Sequence, residues 1–307
     1  MHRKMEKVTY LTPSQLDDIE QLVRECEIAD NHPTKLYWNI ISDRKTELFN
    51  DFLFYIDDQL VGYLAIFSFE SSHVEISGVV HPQFRGNGIA HMLFQEALHE
   101  LEYRESIQYC LFVIHQSAIP ARHCVQALGA EPAYSEYEMH FSRSLEPFTL
   151  FKHAELTLVQ VQREALKELA RLDAICFKAT YEHARERLSQ VIDATDRLIF
   201  VARYRNKIIG KIHIRFESNT AHIHDYCIDP VYQGQGFGED LLKRTLNFLF
   251  TIDSVSQIRL DVTTDNSSAL NIYRRCGFEI TAAYDFWKYQ LINQFSDEEE
   301  VADLQYH

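Results

Sequence analysis

The turn Gln233-Gly234-Gln235-Gly236-Phe237-Gly238-Glu239 stands between an apolar run ending in Tyr226-Cys227-Ile228 and a stretch with Phe237, Leu241, Leu242, Leu246 and Leu249 on one helical face. A helix that opens from such a turn presents several unpaired amides at one point, and its dipole adds partial positive charge. The chemistry this suits is the holding of a phosphate or diphosphate, whose approach a side chain would block. The glycine spacing alone also fits a tight turn that packs a helix on a strand. In the preceding strand, a period of two puts His222, His224 and Tyr226 on one face. An imidazole titrates near neutrality and can take a proton from an amine, although both histidines also fit as packed strand residues. A metal site of His222, His224 and His213 lacks an evident carboxylate or cysteine, and no metal is expected.

A second stretch, Arg85-Gly86-Asn87-Gly88-Ile89-Ala90, repeats the turn 148 residues earlier. The same offset sets Pro82 on Pro230, Gly62 on Gly210, Ala121 on Ala269, Gly129 on Gly277 and Glu131 on Glu279. A register kept over this span, on glycines whose backbone geometry is demanding, indicates two copies of a whole domain. Each copy reads as a first strand ("KVTYL", "ELTLVQV"), a helix, a strand hairpin and a fourth strand. The glycine turn and its helix follow, then a fifth strand, a helix ending at Gly129 or Gly277, and a last strand. Thr12-Pro13-Ser14-Gln15 is a capping box for the first helix. Asp57-Asp58-Gln59 and Arg205-Asn206-Lys207 fit hairpin turns. The fold class expected is α/β (α+β), each copy a mixed, mainly antiparallel sheet flanked by helices. The expected boundaries are 1–145 and 152–293, with a linker near 142–155 and an acidic tail at 294–307.

The second copy continues with Asn266, Ala269, Tyr273, Gly277 and Phe278 at fixed spacing. With the [QR]-x-x-G-x-[GA] turn, this resembles the GCN5-related N-acetyltransferase (GNAT) superfamily, and the resemblance covers nearly the whole chain as two tandem domains. It implies acetyl-CoA as donor, its diphosphate on the amides from Gln233 to Glu239. The strand end Tyr226-Cys227-Ile228 would lie along the pantetheine arm, with Asn266 near the thioester. It implies Tyr273 as proton donor to the leaving thiolate, although Tyr273 also fits as a core aromatic. A family glutamate on the fourth strand falls at His222 when counted back from Ile228, which makes His222 or His224 the candidate base. In the first copy Val80, Arg85, Gly86, Asn87, Gly88, Ile89 and Ala90 keep the phosphate cradle. Val125 stands at the Tyr273 position, Ala118 at Asn266, and Val74 and Ile76 at the two histidines. The resemblance therefore places the chemistry in the C-terminal copy, with the N-terminal copy supporting it. Alternatives are a first copy that is also active, with Tyr134, Tyr137 or water as proton donor, and a non-catalytic acyl-CoA-binding module.

The net charge of −15 disfavours nucleic acid as a partner. No apolar run reaches the length of a membrane span, and the N-terminus lacks the apolar core of a secretory signal, so a cytoplasmic protein is expected. None of the six cysteines form a C-x-x-C pair, which fits buried free thiols. The acceptor is expected to be a small-molecule or peptide amine. The two copies could pair with each other as single-domain relatives do between chains.

Overall fold

The computed structural model describes residues 2–142 and 146–291. The first copy runs β1 (Arg3–Val8), α1 (Pro13–Asp30), α2 (Trp38–Asp43), β2 (Asp51–Ile56), β3 (Gln59–Phe67), β4 (His73–Val80), α3 (Ile89–Leu101), β5 (Tyr109–His115), α4 (Ile119–Ala127) and β6 (Glu131–Phe141). The second runs β7 (Thr157–Val161), α5 (Leu166–Cys176), α6 (Tyr181–Val191), β8 (Arg197–Tyr204), β9 (Lys207–Glu217), β10 (Thr220–Ile228), α7 (Phe237–Leu249), β11 (Gln257–Thr263), α8 (Ser267–Cys276) and β12 (Phe278–Gln290). The capping box forms: the Thr12 hydroxyl accepts from Gln15 N–H, and the Gln15 side chain accepts from Thr12 N–H. Both two-residue hairpin turns are left-handed, at Asp57-Asp58 and Arg205-Asn206, as the twist of tight hairpins requires. β1 starts earlier than the stretch 7–11 and ends at Val8.

Two compact units result, and they do not follow the boundaries 1–145 and 152–293. Residues 2–136 with 282–291 make the first; residues 137–281, as described, make the second. The first unit's sheet runs β1-β2-β3-β4-β5 and is completed by the end of β12, with Tyr284 opposite His115 and Gln290 opposite Tyr109. The second runs β7-β8-β9-β10-β11 and is completed by the end of β6. Each long last strand thus finishes the other copy's sheet; local apolar pattern cannot reveal which open edge a strand will pair with. The acidic tail expected at 294–307 lies outside the described residues, as does 143–145 of the linker.

Helices cover both faces of each sheet. In the first unit α3 sets Ile89, Leu93 and Phe94 on Phe52, Phe54, Val74 and Ile76, and α1 sets Ile19, Leu22 and Val23 on Leu53, Tyr63 and Phe67. In the second, α7 and α8 set Leu241, Leu242, Leu246 and Leu270 on Ile212, Ile214, Ala221 and Ile223, while Leu169 and Leu188 cover Ile199 and Val201. Each such side chain contributes about 1.5–3 kcal/mol by leaving water, enough to fix the helices that open from the glycine turns.

The offset of 148 holds for the start of β3 and β9 and for both ends of α3 and α7 and of β5 and β11. It is broken within the fourth strand of each copy. β4 pairs with β3 without a shift, but β10 bulges between His224, opposite His213, and Cys227, opposite Lys211. Asp225, in the bulge, is left-handed at φ 47°. The bulge takes up one extra residue. Before it, pairing with β5 and β11 matches Val74 to Ala221, Glu75 to His222 and Ile76 to Ile223. Val74 and Ile76 are therefore not the counterparts of the two histidines; Glu75 and Ser77 are.

Candidate active site

In the first unit β4 ends at Val80, a single turn Pro82–Phe84 follows, and α3 opens after Gly88. Gly86 and Gly88 both have φ 78°, in the region open to glycine at little cost, and nothing lies within 4 Å of where a Cβ would stand on either. The first helical bond runs from Met92 N–H to Gly88 C=O, so the amides before it face forward without helical partners. Arg85 is not among the groups facing outward. Its guanidinium makes a fork with Asp30 at 2.6 and 2.7 Å, and its Nε donates to Val80 C=O at 2.9 Å. Asn87 likewise donates back to Phe84 and Arg85 carbonyls. These two side chains brace the turn.

β4 and β5 pair only from His73–Ile76 to Tyr109–Phe112 and then part. A cavity of about 830 Å³ occupies the parting. It runs from Gly86, Gly88 and Ala90, past Gly78, Val80 and Val113–His115, to His32, Thr34 and Lys35. Small residues line it: Gly78 on β4, and Ala118 and Val125 at the start and end of the α4 wall. At Gly78 a Cβ would meet the Tyr63 carbonyl oxygen at 2.7 Å.

The second unit has the same turn and the same parting of strands, after Ile223 and Leu260. Gly234 and Gly236 are left-handed at φ 72° and 98°. Here a tyrosine stands in the space. Tyr226, at the position of Gly78, points its hydroxyl at Gly238, where a Cβ would meet it at 2.6 Å. Its ring lies 6.1 Å from that of Tyr273, and its buried hydroxyl has no hydrogen-bond partner among the described residues. In front of the glycines, the Lys152 side chain would meet a Cβ on Gly236 at 2.8 Å, and His153 stacks on Phe237 with 3.7 Å between ring centroids. Asp240 fixes that segment by accepting from both Lys152 and His153 N–H groups.

The remaining residues expected to hold the cofactor in this unit have structural partners. Gln233 donates to Ile228 C=O and Gln235 to Val231 C=O, repeating the bracing in the first unit. Phe237 is core. Glu239 pairs with Lys243 and Arg275, whose hydrogen bonds, Lys243's foremost, hold its carboxyl below the usual range. Asn266 caps α8 by accepting from Ala269 N–H. Cys227 is buried on the α5 side, near Cys176. Tyr273 is buried, and burial pushes its hydroxyl well above the ordinary tyrosine value.

His222 and His224 do not share a face with Tyr226. The bulge at Asp225 inverts the alternation, sending Tyr226 to the α7 side with Ile223. His222 pairs with Asp261 at 3.0 Å. The bulge also supplies a carboxylate that the sequence reading did not place: Asp225 lies 3.4 Å from His213 and 3.9 Å from His224. These three groups could in principle hold an ion. Two cations already serve the carboxylates there: Arg187 reaches Asp225 at 3.1 Å and Asp173 at 2.9 Å, and Lys211 pairs with Asp173. Burial, then the charge of Lys211, holds His213 well below the ordinary histidine value; burial also lowers His222 against the pull of Asp261. Both must therefore gain a proton on unfolding at mildly acid pH. Stability is complete above the unfolded value near 6.5 and falls as pH drops below it, by up to about 1.4 kcal/mol per pH unit for each histidine. Thermal melts should shift down between pH 7.5 and 5.5, and His222→Gln should flatten the shift.

Glu75 was missed. It occupies the place of His222 on the strand beside the open cavity, and Tyr37 donates to it at 2.8 Å. A one-residue bulge hides this match from any ungapped alignment of the copies. Nearby stand Tyr134, stacked on Phe286 at 4.4 Å, and Phe69, in edge contact with Tyr37. Tyr137, the other alternative donor, belongs to the second unit and packs on its core.

The sequence model described as "Acetyltransferase (GNAT) family" matches residues 16–130 and again 166–278. The spermidine N(1)-acetyltransferase of Vibrio cholerae is 28% identical over 139 residues, 41% of this chain and 80% of that protein. The GCN5-related N-acetyltransferase of Sphaerobacter thermophilus superposes with a TM-score of 0.78 at 17% identity, covering 94% of this chain and 96% of that one. A tandem GNAT protein from the clavulanic acid biosynthesis pathway superposes at 0.69 with 13% identity, covering 95% and 99%. No helix among the described residues is long and apolar enough to cross a membrane.

Proposed function

Because the chain belongs to the acetyltransferase (GNAT) family, we propose that it moves an acetyl group from acetyl-CoA to a primary amine, and that the first unit carries the transfer. The open cavity supports this reading most strongly: it joins a bare anion cradle to the Glu75 face of the sheet through the gap between β4 and β5. The amides of Gly86 to Ala90 would hold the diphosphate, and the edge of β4 from Gly78 to Val80, past its pairing with β5, would lie along the pantetheine arm. When bound, acetyl-CoA supplies an activated acyl group as a thioester. The chain's task is then to present a neutral amine to it. Glu75, with its carboxylate fixed by Tyr37, would take the proton that an ammonium acceptor must lose. The surrounding rings of Tyr37, Phe69, Tyr134 and Phe286, together with Glu75 and Glu136, favour a cationic acceptor. Spermidine is the acceptor named for the Vibrio relative, and it is the first amine to try. Glu75→Gln should lower kcat by about a hundredfold with acetyl-CoA affinity unchanged, in the usual range for loss of a general base. Steady-state rates and calorimetry check it; an unchanged kcat would remove Glu75 from the reaction.

A second reading keeps the chemistry in the C-terminal copy, with the N-terminal copy in support. It is favoured by Asn266 and Tyr273 in family spacing and by the unpartnered Tyr226 hydroxyl, a buried group with reason to move. It requires Tyr226 and Lys152 to leave their places. Tyr273→Phe separates the two: turnover stays within about twofold on the first reading and falls by at least about tenfold on the second.

A further inference from the structure

Lys35 is the one lysine among the described residues that line the open cavity, and it is 7% exposed. An ammonium taken out of water needs compensation, and this one has it on three sides. Its Nζ lies 5.0 Å from the ring centre of Tyr284, 5.8 Å from that of Phe286 and 3.7 Å from a Glu136 carboxylate oxygen. Tyr134 backs Phe286 in a parallel stack. Two aromatic faces with a carboxylate are what a cationic amine acceptor would be expected to seek. Here that surround already holds an ammonium, tethered to the segment after α1.

We propose that Lys35 is a built-in acceptor: the first unit acetylates its own Lys35 from acetyl-CoA in the same cavity. This rests on the reading that the first unit binds acetyl-CoA. The step balances without any further reactant. The Lys35 ammonium gives one proton to Glu136 and thence to solvent. The neutral Nζ bonds to the acetyl carbon, the carbon–sulfur bond breaks, and the electron pair leaves on sulfur, which takes up the second proton that Nζ loses. The products are acetyl-lysine and CoA thiol. The modified side chain has no charge, so its hold on Glu136 and on the two rings is lost, and the ammonium site is vacated for an external amine.

The test incubates the full chain with acetyl-CoA and no added amine, and maps acetylated peptides by mass spectrometry. Lys35 should acquire the label at least about tenfold faster than the exposed Lys45, because a held amine reacts at high effective concentration. The rate constant should not change on dilution of the protein, and Gly88→Glu should abolish the Lys35 label. A binding readout stands beside it: with CoA present, Lys35→Gln, which mimics the acetylated form, should bind spermidine about tenfold more tightly by calorimetry, since no tethered charge competes. If acetyl-CoA binds but Lys35 is labelled no faster than Lys45, or labelled at a rate that scales with protein concentration, the inference fails alone. Unchanged or weaker spermidine binding by Lys35→Gln also overturns it. If the chain does not bind acetyl-CoA, both this inference and the functional reading beneath it fall.

Discussion

Gly88→Glu removes acetyl-CoA binding, while Gly236→Glu leaves it within about twofold of the unmodified chain. At Gly88 two costs add. The residue has φ 78°, a conformation that costs an ordinary L residue about 1–2 kcal/mol. A carboxylate there would also stand where the proposed diphosphate sits. Together these should exceed about 3 kcal/mol, or about a hundredfold in affinity. Gly88→Ala carries the strain without the charge and should lose less, which separates the two costs. At Gly236 the cradle is already closed by Lys152, whose flexible end can pair with the new carboxylate. Calorimetry of the three variants decides; equal losses from both glutamates would show that both units, or neither, hold the donor.

Tyr226→Ala combined with Lys152→Ala should raise the stoichiometry from one acetyl-CoA per chain to two. The second unit keeps a left-handed glycine turn and a parted strand pair, so its cradle is present but filled. Removing this partly buried ring costs up to about 3–5 kcal/mol, offset by about 1–3 for a buried hydroxyl no longer left without a partner. The variant should fold with a lower melting temperature, and acetyl-CoA should recover part of the loss by binding the opened space. Tyr226→Phe is the control: it removes only the hydroxyl, keeps a stoichiometry of one, and raises stability by about 1 kcal/mol. A stoichiometry of two in the unmodified chain would show that Tyr226 turns aside by itself.

Much of this was legible in the sequence, and the reasons divide cleanly. The repeat could be read because glycine and proline mark backbone conformations that few other residues replace, and Gly86, Gly88, Gly234 and Gly236 all adopt them. The Thr12 cap and the hairpin turns could be read for the same local reason. What failed was non-local. Which sheet β12 completes depends on an edge more than a hundred residues away. The bulge at Asp225 adds one residue to a strand whose apolar pattern looks unbroken, and that single step hid Glu75 and misdirected Tyr226. The exchange of Gly78 for Tyr226 was visible at the fixed offset, but its meaning is volume, which appears only once both walls of the cavity are in place. Lys152 and His153 lie in a linker with no motif, and only packing brings them onto the turn.

Crystals of the unmodified chain soaked with acetyl-CoA test the central claim most directly. Density for a diphosphate on the amides of Gly86 to Ala90, with the acetyl group in the gap between β4 and β5 and Tyr226 unmoved, is the result this account predicts. Density at Gly234 to Gly238 with Tyr226 swung out and the first cavity empty would contradict it.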